Sequence, residues 1–153
     1  MALLNYSGFD EAELSLKDIA DMSEEEKKKI IQAGAEVAVE KLKATLTDLG
    51  LKRTGQLIAG VKFKFAISSG EPAAKVSSYG KRKNGYTKKR MSGGQSKGSY
   101  QGTNEEVLYL LEYGTPRMRP RSPLSKIASS AADPVTDAMD EALGEYLASK
   151  GVQ

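Results

Sequence analysis

The chain contains no cysteine, no histidine and no tryptophan. Without cysteine there is no disulfide, no thiol nucleophile and no thiolate-bound metal, which fits folding in a reducing cytoplasm. Without histidine the commonest general base and the commonest metal ligand are both missing. Long apolar runs are missing too: none approaches the roughly 18 residues that a membrane-spanning helix needs. Residues 1–9 have neither the basic start nor the apolar stretch of an export signal. The expectation is a soluble protein with no membrane partner, not exported by the usual route. A phosphate-cradling glycine loop is also lacking, because Ser92-Gly93-Gly94 is not set between a strand and a helix.

What remains is a chain of 153 residues, 39% hydrophobic and 28% charged, enough for one domain with a modest core. Its net charge of +3 is unevenly spread. Residues 1–50 hold 11 acids and 6 bases, residues 51–79 hold 1 acid and 5 bases, and residues 103–153 hold 8 acids and 5 bases. Residues 80–102 hold 7 bases and no acid. One segment therefore makes an otherwise slightly acidic protein basic.

Residues 1–22 mix apolar and acidic side chains, and Leu14, Leu16 and Ile19 can pack on the domain as a short helix or as an extended arm. Ser23-Glu24-Glu25-Glu26 is a helix start in capping-box form, with three acids at the positive end of the helix dipole. Ile31, Ala35, Ala38, Leu42, Leu46 and Leu49 follow in one stripe, and Gly50 supplies the stop, predicting a helix over 24–49. Thr54-Gly55-Gln56-Leu57 reads as a turn. Val61, Phe63, Phe65 and Ile67 alternate with Lys62 and Lys64, predicting a strand with one buried face. A turn at 68–72 leads to a weaker strand over 74–79.

Residues 80–102 are rich in Gly, Ser, Lys, Arg, Asn and Gln, with only Tyr86, Met91 and Tyr100 as large apolar groups. Such a segment is expected not to order by itself and to serve as a long functional loop. Residues 106–113 read as a third strand, and Gly114-Thr115-Pro116 breaks it. Ser122-Pro123 and Asp133-Pro134 are two further helix starts. Val135, Met139, Ala142, Leu143, Tyr146 and Leu147 stripe the second of these helices, and Gly151 ends it. The predicted fold class is α+β: a small antiparallel sheet packed on a long N-terminal helix and C-terminal helices, with a long basic arm between strands. The predicted organisation is a single domain over 1–153, with an N-terminal arm at 1–22 and a basic loop at 80–102.

Asp137, Asp140, Glu141 and Glu145 are carboxylates, but the apolar stripe beside them marks a helix exterior and not an acid–base pair or a metal site. Lys81, Arg82, Lys83, Lys88, Lys89, Arg90 and Lys97, interleaved with Tyr86 and Tyr100, form either a phosphate-contacting arm or a loop that contacts another subunit. No base-reading motif accompanies them. Pro116, Pro120 and Pro123 stiffen the chain after the third predicted strand, and Arg117, Arg119 and Arg121 project from it. That stretch serves as a fixed connection, as a contact surface, or as both.

An aromatic-ended predicted strand closing in Glu112-Tyr113-Gly114-Thr115, then a short Met/Pro/Arg-rich loop and a helix, resembles the neck proteins of long-tailed double-stranded DNA phages, the head–tail joining or tail-completion family. Arg53-Thr54-Gly55-Gln56-Leu57 after a long helix is similar to that family's Thr-Gly-x-Leu segment, and the two elements lie in the family's order over about 24–150. Where family members often carry Arg-Pro-Phe-Leu at the last helix start, this chain has Arg121-Ser122-Pro123-Leu124. The resemblance implies a virion structural protein, not an enzyme and without cofactor or metal. It implies a homo-oligomeric ring, six-fold by analogy, that caps the tail or sits at the head–tail junction. Its partners would be other neck and tail proteins, with genomic DNA passing through the lumen, after assembly in the host cytoplasm. The reading from the residues alone leaves a second possibility, a nucleic-acid-binding module without sequence specificity that uses the basic 80–102 arm. The purified protein is expected to carry no stoichiometric metal or nucleotide; elemental analysis and an absorbance spectrum check this, and either ligand at one per chain would refute it.

Overall fold

The computed structural model describes residues 21–51, 55–68, 70–82, 87–92 and 95–151, with the backbone alone for 87–92 and 95–101. The elements in chain order are α1 (Glu24–Asp48), α2 (Gln56–Ala59), β1 (Val61–Ser68), β2 (Glu71–Ser78), β3 (Thr87–Ser92), β4 (Gln95–Gln101), α3 (Asn104–Tyr113), α4 (Pro123–Ser130) and α5 (Ala132–Ser149). The fold is α+β, as the sequence pattern predicts. The N-terminal arm expected over 1–22 lies, up to residue 20, outside the described residues.

Helix α1 begins as the sequence dictates. The Glu26 amide donates to Ser23 Oγ at 3.3 Å, and the Ser23 amide donates back to Glu26 Oε2 at 3.0 Å. That amide, with the Ser23 hydroxyl second, holds the Glu26 carboxyl below its ordinary pKa. The resulting stabilisation is present above the ordinary carboxylate value and is lost as pH falls through the lowered one. Leu42 and Leu46 on α1 are fully buried. With Leu57, Val61, Leu108, Leu111, Ile127 and Ala131 they form the core, so α1, α2, β1, α3, α4 and the residue before α5 meet in one apolar cluster.

β1 and β2 pair antiparallel from Val61 opposite Ser78 to Ser68 opposite Glu71, and both lie against α1. Only the Val61 end of β1 is deeply buried: Phe63 is half-buried, whereas Phe65 and Ile67 are 45% and 81% exposed. The alternation therefore predicts the strand correctly but overstates its buried face. At the far end of the hairpin the start of α1 is the neighbour: Lys27 pairs with Glu71 at 3.2 Å, and Glu24 and Lys28 line a pocket with Phe65 and Ile67.

Four further expectations are corrected. Residues 106–113 are helix α3, not a strand. Thr103 and Glu106 form a second capping box, with the Glu106 amide to Thr103 Oγ1 at 3.2 Å and the Thr103 amide to Glu106 Oε2 at 3.1 Å. The buried positions Asn104, Leu108, Leu111 and Glu112 follow the helical period. Tyr109 and Tyr113, four residues apart, stack outside with ring centroids 4.7 Å apart. Gly55 to Leu57 is not a simple turn: Gly55, at φ 66°, opens the one-turn helix α2.

The basic segment contains a second, separate two-stranded sheet, β3 with β4. Thr87 lies opposite Gln101 and Ser92 opposite Gln95, with an irregularity between Lys89 and Met91. Ladder hydrogen bonds are made by backbone, so a chain poor in apolar side chains can still pair. The two residues between β3 and β4 are Gly93 and Gly94, a pair favoured in hairpin connections. The last helix begins at Ala132, one residue before the expected Asp133 cap.

Leu42→Ala removes a side chain with no solvent exposure from the centre of the core and is expected to cost about 2–5 kcal/mol. Ile67→Ala, at an exposed strand position, is expected to change stability by less than about 0.5 kcal/mol. Urea unfolding of the two variants checks both, and equal midpoints would refute the assignment.

Candidate functional site

The Glu-Tyr-Gly-Thr stretch folds as one geometric unit. Glu112 is 8% exposed at the end of α3. Its carboxylate accepts from the amides of Leu124 at 2.8 Å and Ser125 at 3.1 Å, and from the Ser125 hydroxyl. These amides belong to the first turn of α4, which has no capping side chain of its own at Ser122. A carboxylate on one helix thus caps the next and sits at the positive end of its dipole. Ser122 takes up φ 46° in this corner, where its hydroxyl donates to the Glu112 carbonyl at 3.2 Å.

The loop between α3 and α4 is tightly closed. Gly114 has φ 77°, and a Cβ there would fall 2.7 Å from the Met118 carbonyl oxygen and 2.9 Å from the Pro120 nitrogen. No other residue type fits that approach without displacing backbone. Thr115 and Met118 exchange backbone hydrogen bonds at 2.9 and 3.0 Å. The Arg121 guanidinium donates to the Leu49 carbonyl at 3.3 Å, tying the loop to the C-terminal end of α1. Arg117 and Arg119 stay exposed, and Tyr109 and Tyr113 are 62% and 69% exposed. Residues 113–120 alone line an open cleft of about 640 Å³. No acid–base pair converges on it, so its chemistry is that of a rigid contact surface of Tyr, Met and Arg.

The Thr-Gly-x-Leu element sits at a second joint. Thr54 lies outside the described residues, Gly55 begins α2, and Leu57 is 4% exposed in the core. The Ser78 hydroxyl, fully buried, donates to the Leu57 carbonyl. Asn104, 3% exposed, donates from Nδ2 to the carbonyls of Gln56 at 3.0 Å and Tyr79 at 2.9 Å. Its own amide donates to the Gly80 carbonyl at 2.9 Å. A Cβ at Gly60 would lie 2.5 Å from Asn104 Nδ2 and 2.8 Å from Ser78 Oγ, so the joint closes only around glycine. Asn104 and Ser78 were not singled out by the sequence reading; the Thr103–Glu106 capping box, which places Asn104 at the first position of a helix, is the signal that finds the former.

This joint also carries the root of the basic hairpin. Lys81 bridges Thr103, the Arg82 amide donates to the Gly102 carbonyl at 2.8 Å, and the Arg82 guanidinium reaches Asn104 Oδ1 at 3.4 Å. Lys88, Lys89, Arg90, Lys97 and Tyr100 are placed by backbone register alone, with Lys88 opposite Tyr100. Lys83 and Tyr86 lie outside the described residues. The sequence-predicted residues therefore fall into two groups: the Arg loop between α3 and α4, and the hairpin rooted on Asn104.

Asp137, Asp140, Glu141 and Glu145 lie on α5, and among the described residues no three His, Cys, Asp or Glu side chains form a group that could hold a metal ion. No described helix is long and apolar enough to cross a membrane. No protein-family model matches the chain, and neither a curated protein nor a solved structure is significantly similar to it.

Glu112→Ala strips the α4 amides of their acceptor and is expected to destabilise the fold by about 1–3 kcal/mol. Tyr113→Ala, next to it but exposed, is expected to cost under about 0.5 kcal/mol. Thermal or urea unfolding distinguishes the two, and a neutral Glu112→Ala would refute the capping role.

Proposed function

We propose that this chain is a structural protein of a phage neck, forming a homo-oligomeric ring at the head–tail junction or at the end of the tail. The observation that supports this reading best is the behaviour of the motif on which the resemblance rests. Glu112, Gly114 and Thr115 each have a geometric task in holding one stiff loop; that loop presents Arg117 and Arg119 to solvent, beside the exposed Tyr109 and Tyr113 of α3. Tyr and Arg on a preorganised backbone are the side chains that protein interfaces favour. The basic hairpin, rooted firmly at Asn104, supplies a second contact element that can reach a neighbour.

A nucleic-acid-binding module is the second reading, and the pairing of β3 with β4 favours it to this extent: a two-stranded ribbon fits the major groove of duplex DNA. The two readings differ in measurable ways. A neck protein co-purifies with virions at low, fixed copy number, and a cytoplasmic module does not. A module that uses the seven hairpin cations binds duplex DNA as a monomer, with log K falling by about 0.9 per phosphate contact per unit log salt.

Replacing residues 83–97 by a short glycine turn is expected to leave the monomer folded, because the core cluster of the described residues is assembled from α1, α2, β1, α3 and α4. Phage complemented with that variant are expected to accumulate separate heads and tails, counted by electron microscopy. A normal yield of joined particles would refute an assembly role for the hairpin.

A further inference from the structure

The seam between α1 and α5 leaves a surface groove of about 330 Å³. Its floor is made by small apolar side chains, Ala33 and Val37 from α1 and Ala138 and Ala142 from α5. Its rims are carboxylates, Glu36 and Glu40 on one side and Glu141 and Glu145 on the other. All four are exposed. Glu36 accepts from Gln32 Nε2 at 2.8 Å, but among the described residues no lysine or arginine comes within ion-pair distance of any of the four. Each rim is a like-charge pair at i and i+4, an arrangement that weakens a helix by a few tenths of a kcal/mol per pair. The four do not converge enough to hold a metal ion. The groove is thus a shallow apolar trough with uncompensated negative charge along both edges, shaped for an elongated cationic segment.

The chain supplies such a segment. Residues 80–102 hold 7 bases and no acid. From Gln95 at the tip to Thr103 at the root the returning strand covers 8 residue steps, about 26 Å at roughly 3.3 Å per step, enough to lie along several turns of a helix. Among the described residues the β3–β4 pair has no substantial packing against α1 or α5 of its own chain. Residues 1–20 are a poor alternative occupant, because Asp10, Glu11, Glu13 and Asp18 outnumber Lys17 and give that segment the same sign as the groove. The Arg loop is shorter, and Arg121 is engaged with Leu49.

We propose that the α1–α5 groove of one copy is the seat of the β3–β4 hairpin of a second copy. The contact is head-to-tail: each subunit offers a hairpin on one side and a groove on another, and repetition closes a ring if the rotation between copies permits. The inference rests on the oligomeric reading above and names the surface that receives the arm. Because both surfaces carry charge of opposite sign, the contact weakens as salt rises beyond the range where the Debye length is about 8 Å.

Sedimentation velocity on the full-length chain tests this with three variants. Glu141→Lys with Glu145→Lys reverses one rim, Lys88→Glu with Lys89→Glu and Arg90→Glu reverses the hairpin, and a third chain carries all five changes. The wild type is expected to associate, more strongly at 50 mM than at 500 mM salt. Each reversed variant is expected to associate at least tenfold more weakly with unchanged far-UV circular dichroism, and the five-change chain is expected to regain association. The neutral pair Glu141→Gln with Glu145→Gln gives the same readout at lower risk to folding, with an intermediate loss expected. If the wild type associates and the rim variants associate equally well, the groove is not the seat, while the ring reading stands. A five-change chain that is folded but fails to regain association also overturns the pairing. A wild type that stays monomeric at every concentration overturns both. If hairpin reversal abolishes duplex-DNA binding and leaves association intact, the hairpin belongs to nucleic acid and the proposal fails.

Discussion

Asn104 is where the two halves of the chain are fastened together. Its side-chain amide donates to the carbonyl of Gln56, the first residue of α2, and to that of Tyr79, just after β2, while its backbone amide donates to the carbonyl of Gly80. A buried amide with its donors satisfied is stabilising, and the same group without them costs about 1–3 kcal/mol. The consequence is directional. α2, the end of β2, the root of the β3–β4 hairpin and the first residue of α3 have to arrive together, or a polar side chain is left stranded in the interior. Gly60 belongs to the same constraint, because any side chain there would occupy the space of Asn104 and Ser78.

Glu112 repeats the logic one helix later. Asn104 and Glu112 mark the two ends of the buried face of α3, with Leu108 and Leu111 between them in the core. One end anchors the basic hairpin and the other anchors the Arg loop. A single ten-residue helix therefore holds both elements that look outward, and fixes them relative to the Leu42 and Leu46 face of α1. The polar contacts set orientation, and the apolar contacts supply most of the free energy. Contact surfaces that depend on rigid presentation benefit from this arrangement, since less conformational entropy is lost when a partner arrives.

Charge is separated along the same frame. The acids of α1 and α5 rim a groove, and the bases of 80–102 are carried away on a ribbon. Among the described residues no lysine or arginine pairs with the carboxylates that rim the groove. Unpaired charge of one sign on a surface raises the energy of the isolated chain, and it steers a partner of the opposite sign while rejecting like-charged ones.

Much of this was legible locally. The capping box at Ser23, the apolar stripe through Leu42 and Leu46, and the alternation from Val61 to Ile67 each depend on neighbours within a turn or a strand, so α1 and β1 follow from sequence. Residues 106–113 did not, because a short run of Val, Leu and Tyr satisfies both periods, and the deciding signal was the cap at Thr103. The hairpin was missed for a different reason: backbone pairing needs no apolar side chains, so composition is a poor guide to it. The exposure of Phe65 and Ile67, the burial of Ser78, Asn104 and Glu112, and the meeting of α1 with α5 were decided only by the tertiary structure. Their cause is long-range: Asn104 finds Gln56 across 48 positions of sequence. Periodicity and propensity carry information about the next turn of chain, and none about which distant carbonyl will be waiting for a buried amide.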